Sequence, residues 1–232
     1  MSRHVPRPLA WGLAAIGLIG VLAVAIPYVY VNVVRGDAPA ALTAAPGPGL
    51  TAAAVAGSVE GVWTVGAGSQ AGYRVDEVLS GQSTTAVGRT DKVTGSLTVS
   101  DTRATAGSFT VDLSSVTSDQ SRRDTQFRGR IMETARFPTA TFTLTQPVDL
   151  GSLAAQTGTA TVDVTGTLLL HGVTRSVTAP LTVVRTAGEV RVSGQVPVVF
   201  ADYGIDNPSI GGFVTTEDDG VIEILLVLTK DA

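Results

Sequence analysis

The chain contains no cysteine among its 232 residues. That absence excludes disulfides, thiol nucleophiles and thiolate metal sites, but it leaves the compartment open, because proteins outside the cytosol also do without cysteine. Histidine is nearly as scarce, with two residues in the chain, and only His171 lies beyond the first four positions. A catalytic triad or a zinc site would need partners that no spacing here supplies. Aromatic residues make up 5% of the sequence, too few to plug a wide barrel with rings. Excess positive charge is missing too. The formal net charge of -4 argues against a general affinity for nucleic acid or anionic membrane surfaces.

What is present begins with a long apolar run. Residues 1–8 carry Arg3, His4 and Arg7, and the uncharged stretch 9–34 follows. As a helix at 1.5 Å per residue that stretch would be about 39 Å long, against about 30 Å for a bilayer's hydrocarbon core. Trp11, Tyr28 and Tyr30 suit interfacial positions, and Pro27 is expected to kink or fray the last turns. After Arg35 no Lys or Arg occurs until Arg74. The positive-inside bias therefore predicts a cytoplasmic N-terminus, a single-pass signal anchor in the cell membrane and an extracytoplasmic remainder. A cleavable signal peptide is the alternative, because Ala38-Pro39-Ala40 loosely resembles a peptidase site, although the run is long for that role. Both readings export the rest of the chain. Residues 35–60, mostly Ala, Pro, Gly and Thr, read as a flexible tether about 25 to 30 Å in mean span.

From 61 to 232 the texture changes to short alternating segments rich in Val and Thr and punctuated by Gly, the signature of antiparallel β structure. A two-residue turn at His171-Gly172 would set Leu170 against Val173, Gly166 against Val177, Val164 against Ala179 and Val162 against Leu181, all on one apolar face. A second turn at Ala187-Gly188 adds Val183 with Val192, Leu181 with Gly194, Ala179 with Val196 and Val177 with Val198 to that face. A one-residue slip would mix apolar and polar sets, so the register is well specified. The discordant pair is Leu168 with Arg175, where a long basic side chain can reach water. Upstream, Leu97 is expected opposite Phe109, Gly95 opposite Val111 and Val93 opposite Leu113.

Other stretches break the alternation. Residues 80–91 read as a polar loop or irregular edge. Ser118 is a candidate N-cap for a helical insertion reaching Met132, with Phe127 and Ile131 on one face and Gly129 limiting its length. Residues 146–157 read as a connection and 202–220 as a long loop. In the closing strand, 221–229, Leu225 and Val227 are apolar on the face opposite Ile222, Ile224, Leu226 and Leu228. That second face calls for cover by the helix, by neighbouring loops or by another subunit, which leaves a homodimer open. The fold expected is all-β: an antiparallel up-and-down barrel of about eight strands with a short helical insertion, wide enough for a side-chain core or one small ligand. Gly95, Gly166 and Gly194 either open a cavity on the inner face or relieve crowding opposite large side chains.

Four segments carry a resemblance: Trp63-Thr64-Val65 with Ser69, Tyr73 and Val75; DTQFRGRIMETARFPTATF at 124–142; VTGTLLLHGVTRSVTAPLTV at 164–183; and ADYGI at 201–205. Together they resemble the YceI-like family of polyisoprenoid-binding, lipocalin-like proteins. The resemblance implies an extended antiparallel barrel with a helical insertion and a long apolar chain, often isoprenoid, in its lumen, in a periplasmic or secreted setting, with no cofactor and no catalytic residue. This chain departs from the pattern at Glu77, where the family usually has His, in the insertion-like stretch 79–92, and at Phe200-Ala201, where an Arg commonly precedes the Asp-aromatic-Gly motif. These departures bear on the barrel mouth and on the ligand's head group.

The expected lumen residues are Tyr73, Phe109, Val111, Phe142, Leu144, Val164, Leu168, Val177, Val198 and Leu226. Arg123 and Arg128, from the basic insertion, are candidates to meet a phosphate or carboxylate head group, the other reading being a solvated helix face. His171 reads as a turn residue, since His tolerates positive φ. Asp202, Asp206, Glu217, Asp218 and Asp219 lack EF-hand spacing and read as solvated carboxylates. The expectation is a membrane-tethered protein that binds or carries an isoprenoid, quinone or fatty-acyl chain, with no metal, nucleic acid or enzymatic chemistry. Its rival is a filled barrel serving as a surface interaction or stress-related module.

Overall fold

Val and Thr alternating over long runs, with Gly and Asx at the turns, produce strands β1 (Gly61–Val65), β2 (Gln70–Leu79), β3 (Gln82–Thr90), β4 (Val93–Ser100), β5 (Arg103–Asp112) and β6 (Thr117–Ser118). A short helix α1 (Ser121–Gln126) follows, then β7 (Thr139–Leu144), β8 (Val148–Asp149), β9 (Gly158–Leu170), β10 (Val173–Arg185), β11 (Glu189–Val199), β12 (Val214–Thr216) and β13 (Asp219–Lys230). The structure, a computed structural model, describes residues 38–45, 57–79, 81–186, 188–209 and 214–230. The apolar run 9–34 and its expected membrane span lie outside them. Among the described residues no helix is long and apolar enough to cross a membrane.

Eight strands close a ring in the order β1, β4, β5, β7, β9, β10, β11, β13 and back to β1, every pairing antiparallel. The connections run between neighbours, as expected for an up-and-down barrel. β2 continues β1 after a break at Gly66–Ser69, and β3 leads into β4 through Asp91-Lys92. Thus β13 pairs with β1 at one end, the lower, and with β2 at the other, the upper. The break is not wasted: Gly66 N–H donates to the Val227 carbonyl at 2.7 Å, and the Val227 N–H donates to Ser69 Oγ at 2.9 Å. This turn serves the backbone of β13 where its partner changes.

The hairpin at His171-Gly172 has the expected register throughout, from Leu170 with Val173 to Val162 with Leu181 and beyond. His171 sits at φ 50° and Gly172 at φ 78°, the left-handed pair that a tight hairpin turn requires. The second hairpin pairs as expected at Val183–Val192 and Leu181–Gly194, but the ladder stops there. Ala179–Val196 and Val177–Val198 are not paired. Pro180, whose carbonyl lies on the Gly194 side, has no N–H to offer the next rung. β10 then follows β9 alone while β11 follows β13, and the turn Phe200–Tyr203 bridges the gap. Arg175 Nε donates to the Asp202 carbonyl at 3.0 Å, and His171 Nδ1 lies 3.2 Å from the Tyr203 carbonyl. The Arg175 side chain is exposed to water, as expected, and it also reaches across the splay.

Four further expectations change. β4 and β5 pair two residues out of the expected register: Gly95 faces Phe109, Val93 faces Val111 and Leu97 faces Gly107, with an irregularity at Thr98/Val99. A Cβ on Gly95 would lie 2.8 Å from the Phe109 Cα, and its φ of 144° suits glycine, so this register places the gap where backbone crowds backbone. Residues 82–90, within the stretch expected as a polar loop or irregular edge, form the continuous strand β3; their weak alternation reflects small inner residues, since a Cβ on Gly88 would meet the Tyr73 ring at 2.4 Å. The expected connection 146–157 contains β8 and a helical turn whose Val148 and Leu153 are buried and close the lower end. Ser118 does not cap a helix; its N–H and hydroxyl donate to Asp124, at 2.8 and 2.6 Å, from strand β6.

The outer face of β13 is covered by the chain itself. Residues 38–45, expected as free tether, cross it: the Leu42 N–H points at Glu223 Oε2 (3.4 Å) and the Ala44 N–H donates to Ser193 Oγ (2.7 Å). Val59, also from the expected tether, is buried beneath Trp63, whose indole N–H donates to the Val59 carbonyl at 2.7 Å.

Close backbone approach makes Gly166 a fold-critical position. A Cβ there would stand 2.3 Å from Phe142 Cζ and 2.5 Å from the Thr143 carbonyl. Gly166→Ala is expected to cost about 1–3 kcal/mol by overpacking, lowering Tm by about 2–12 °C in calorimetry. Gly129→Ala, where a Cβ meets nothing within 4 Å, is expected to leave Tm unchanged or raise it slightly.

Candidate functional site

The inward side chains do not fill the barrel. An upper chamber of about 550 Å³ lies beneath the β2–β3 hairpin and the helical insertion, and a lower cavity of about 100 Å³ lies near Trp63 and Leu153. The first is within the range of small-ligand sites, while the second equals the liquid volume of about three waters.

Each wall follows from the alternation. β5 and β7 supply Val111 and Ala140 to the upper chamber, and the next inward pair on the same strands, Phe109 and Phe142, belongs to the lower cavity. The boundary between the two spaces therefore falls at those two rings. On β13 the same boundary lies between Ile222 above and Ile224 below. The Phe142 ring lies over Gly166, its diagonal neighbour on β9, which has no side chain to displace it.

The fourth wall comes from the insertion. α1 passes directly into a π-helical turn, Phe127–Ile131, that presents Phe127, Ile131 and Met132 to the chamber. Phe127 stacks on Tyr73, with ring centroids 5.0 Å apart and 17° between planes. Burial pushes the Tyr73 phenol well above its ordinary range, and Asp124, Glu77 and Asp119 push it further while a hydrogen bond with Ser118 opposes them. Tyr73 is thus a neutral, mostly apolar surface at any ordinary pH.

The chamber reaches the surface at a polar rim that includes exposed Arg122 and half-buried Gln120, Gln126 and Pro208. Arg123 also stands there, but its guanidinium is committed to Glu77 at 3.2 Å and to Asp119. The Glu77 that departs from the family pattern therefore faces inward and is matched by a cation. Among the insertion's arginines, the rim position belongs to Arg122 and Arg123. Arg128 lies outside the lining and donates to the Val116 carbonyl at 3.2 Å, so it serves the fold.

Eight of the ten expected lumen residues divide between the two spaces. Tyr73, Val111 and Val198 line the upper chamber, and Phe109, Phe142, Leu144, Val164 and Leu226 line the lower cavity. Leu168 and Val177 face inward but pack into the core around the upper chamber and line neither space. Val116, Met132 and Ile205 also line the upper chamber and come from turns and from the insertion, where strand alternation carries no information; Leu113, which alternation placed on the inner face, and Phe200, which the family pattern placed at the barrel mouth, line it as well. The spacing of Phe127 and Ile131 did signal a shared face, without saying what it faced. At the lower end Arg185, buried and lowered in pKa by desolvation, donates to the carbonyls of Leu153 and Gly57.

A closed antiparallel barrel with an apolar chamber, a polar rim and a helical flank defines a lipocalin-like container. Residues 63–228 match the family model described as YceI-like domain, and the chain belongs to that family. No curated protein matches it. Among solved structures, a polyisoprenoid binding domain from Saccharophagus degradans, implicated in plant cell wall breakdown, shares 22% identity at a TM-score of 0.60, covering 74% of this chain and 99% of its own. Burkholderia cenocepacia BcnA shares 20% at a TM-score of 0.52, covering 67% and 95%. A Campylobacter jejuni YCEI protein shares 14% at 0.50, covering 62% and 85%. At these identities the likeness is one of fold.

The buried phenol gives the upper chamber a titration of its own. Tyr73 keeps its proton in the folded chain, while the unfolded chain releases it near pH 10, so stability is full below that value and falls as pH rises above it. Urea midpoints measured from pH 9 to 11.5 are expected to fall less steeply for Tyr73→Phe than for the parent chain. The buried Tyr203, shifted in the same direction, supplies part of the remaining slope.

Proposed function

We propose that this chain binds a long apolar lipid, an isoprenoid, quinone or fatty-acyl chain, in the upper chamber of its barrel. The observation that carries the reading is the 550 Å³ space walled by aliphatic and aromatic side chains and open at a polar rim. Burial of each CH₂ contributes about 0.8 kcal/mol, so affinity follows from chain length with few polar contacts. Family membership and the printed description of the Saccharophagus relative support the ligand class. The same space disfavours the rival of a filled barrel.

The chamber is a binding site and not a reaction centre in this reading. Its acid, Glu77, and its rim cation, Arg123, neutralise one another, and the Tyr73 phenol is far from ionising. Arg122, exposed at the rim, is the cation placed to meet an anionic head group. Because the lower cavity is small and the Phe109–Phe142 pair stands above it, the accepted chain ends at those rings. We further read the apolar run 9–34 as an anchor that holds an exported barrel at the membrane; the charge asymmetry of Arg3, Arg7 and Arg35 supports this.

Native mass spectrometry of the full chain, purified in mild detergent, tests the proposal. An apolar molecule is expected to co-purify with the parent chain and to be lost in Val111→Trp, which fills the upper chamber. Phe142→Leu, which lowers the floor, is expected to shift the bound population toward longer chains. A ligand-free mass for a properly folded parent chain after gentle extraction would overturn the lipid reading.

A further inference from the structure

Residues 38–45 carry almost no side-chain information: Ala, Pro, Ala, Ala, Leu, Thr, Ala, Ala. Composition of that kind gives a disordered tether unless something else recognises the backbone. The outer wall of the upper chamber does so. Glu223 points outward from β13 with its side chain fully buried, between Arg89 Nε at 2.6 Å and Arg74 Nη2 at 3.5 Å. One carboxylate and two guanidiniums leave cationic donors in excess, and those donors take the peptide's carbonyls. Arg74 Nη2 donates to the Pro39 carbonyl at 2.6 Å and Arg89 Nη2 to that of Ala40. The acceptors take its amides: Leu42 N–H points at Glu223 and Ala44 N–H donates to Ser193. Donors and acceptors on four strands' worth of wall thus read an extended backbone.

The direction of the segment matters. Arg74 pairs in register with Val221, near the upper end of β13, and Ser193 pairs with Leu225, lower down. Read backwards from Ala44 to Pro39, the segment climbs toward the end at which the chamber opens. Val34, the last residue of the apolar run, is five residues before Pro39 and so at most about 18 Å from it.

We propose that residues 38–45 form a strap clasped by Arg74, Arg89, Glu223 and Ser193, and that this clasp turns the open end of the upper chamber toward the membrane. The strap rests on the structure alone; the orientation rests also on the anchor reading. A docked strap leaves only a few free residues beyond the bilayer, so the chamber rim stands where a lipid leaves the leaflet. The long tether suggested by composition would let the barrel tumble freely.

Two measurements on the full chain, reconstituted in phosphatidylcholine–phosphatidylglycerol vesicles, separate the parts. In hydrogen exchange, the Leu42 and Ala44 amides are expected to exchange at least about ten-fold more slowly than in an unstructured peptide of the same sequence, and Ser193→Ala to release Ala44. Since the chain lacks cysteine, Ser121→Cys near the rim and Thr102→Cys at the lower end can each carry one fluorophore. Energy transfer to a head-group dye is expected to be stronger from position 121 than from 102. In Leu42→Pro/Ala44→Pro, which removes both amides and leaves the barrel untouched, that difference is expected to vanish. Unprotected amides in a chain that floats with the vesicles would overturn the strap and leave the anchor standing. A chain that fails to float would overturn the anchor and with it the orientation. Equal transfer from both labels, with the amides protected, would overturn the orientation alone.

Discussion

Closure through β13 is the constraint on which the rest of the structure depends. Along one edge it pairs with β11 from Val199–Asp219 to Glu189–Thr229, and along the other it changes partner from β2 to β1. An open sheet would expose unpaired N–H and C=O groups and a continuous apolar face. The change of partner at Gly66–Ser69 lets one strand serve both a narrow lower barrel and a wider upper extension. The difference in width follows from this: the lower barrel is nearly filled, and the upper end, flanked by β3, β6 and the insertion, holds a chamber.

Two kinds of residue then set the chamber's limits. Glycine on the inner face does not create empty space by itself. Gly88 is filled by the Tyr73 ring, Gly166 by Phe142 and Gly194 by Leu181, so each glycine admits a large neighbour. Large residues at the floor and a helical wall of Phe127, Ile131 and Met132 leave the void between them. The choice between cavity-opening and crowd-relieving glycines, open at the level of sequence, resolves toward the second. The void has a different origin.

Strand alternation was legible wherever both partners were long and continuous. The β9–β10 pairing could be written residue by residue because a slip would have buried threonines and exposed valines. It failed for β4 and β5, where the true register differs by two residues: such a shift keeps every side chain on its own face, and small residues at Gly95, Ala104, Ala106 and Gly107 tolerate either pairing. Pairing of β10 with β11 beyond Leu181 was misjudged because the apolar pattern continues through Pro180, while its missing N–H ends the ladder. Half of the expected lining residues fall in the lower cavity, since alternation distinguishes inside from outside but not top from floor. The strap was invisible to pattern reading, because its recognition lies in Arg74, Arg89, Glu223 and Ser193, far away in sequence, and in its own backbone.

The central claim is that an apolar chain lies in the upper chamber and stops at the Phe109–Phe142 rings. Intermolecular NOEs between an unlabelled prenyl lipid and the ¹³C-labelled methyl groups of the full chain locate it directly. The account predicts NOEs to Val111, Ile131, Leu170 and Ile222, and none to Val162 or Leu228. NOEs confined to exposed methyls such as those of Val62 and Val199, or reaching Val162 and Leu228 in the parent chain, would contradict it.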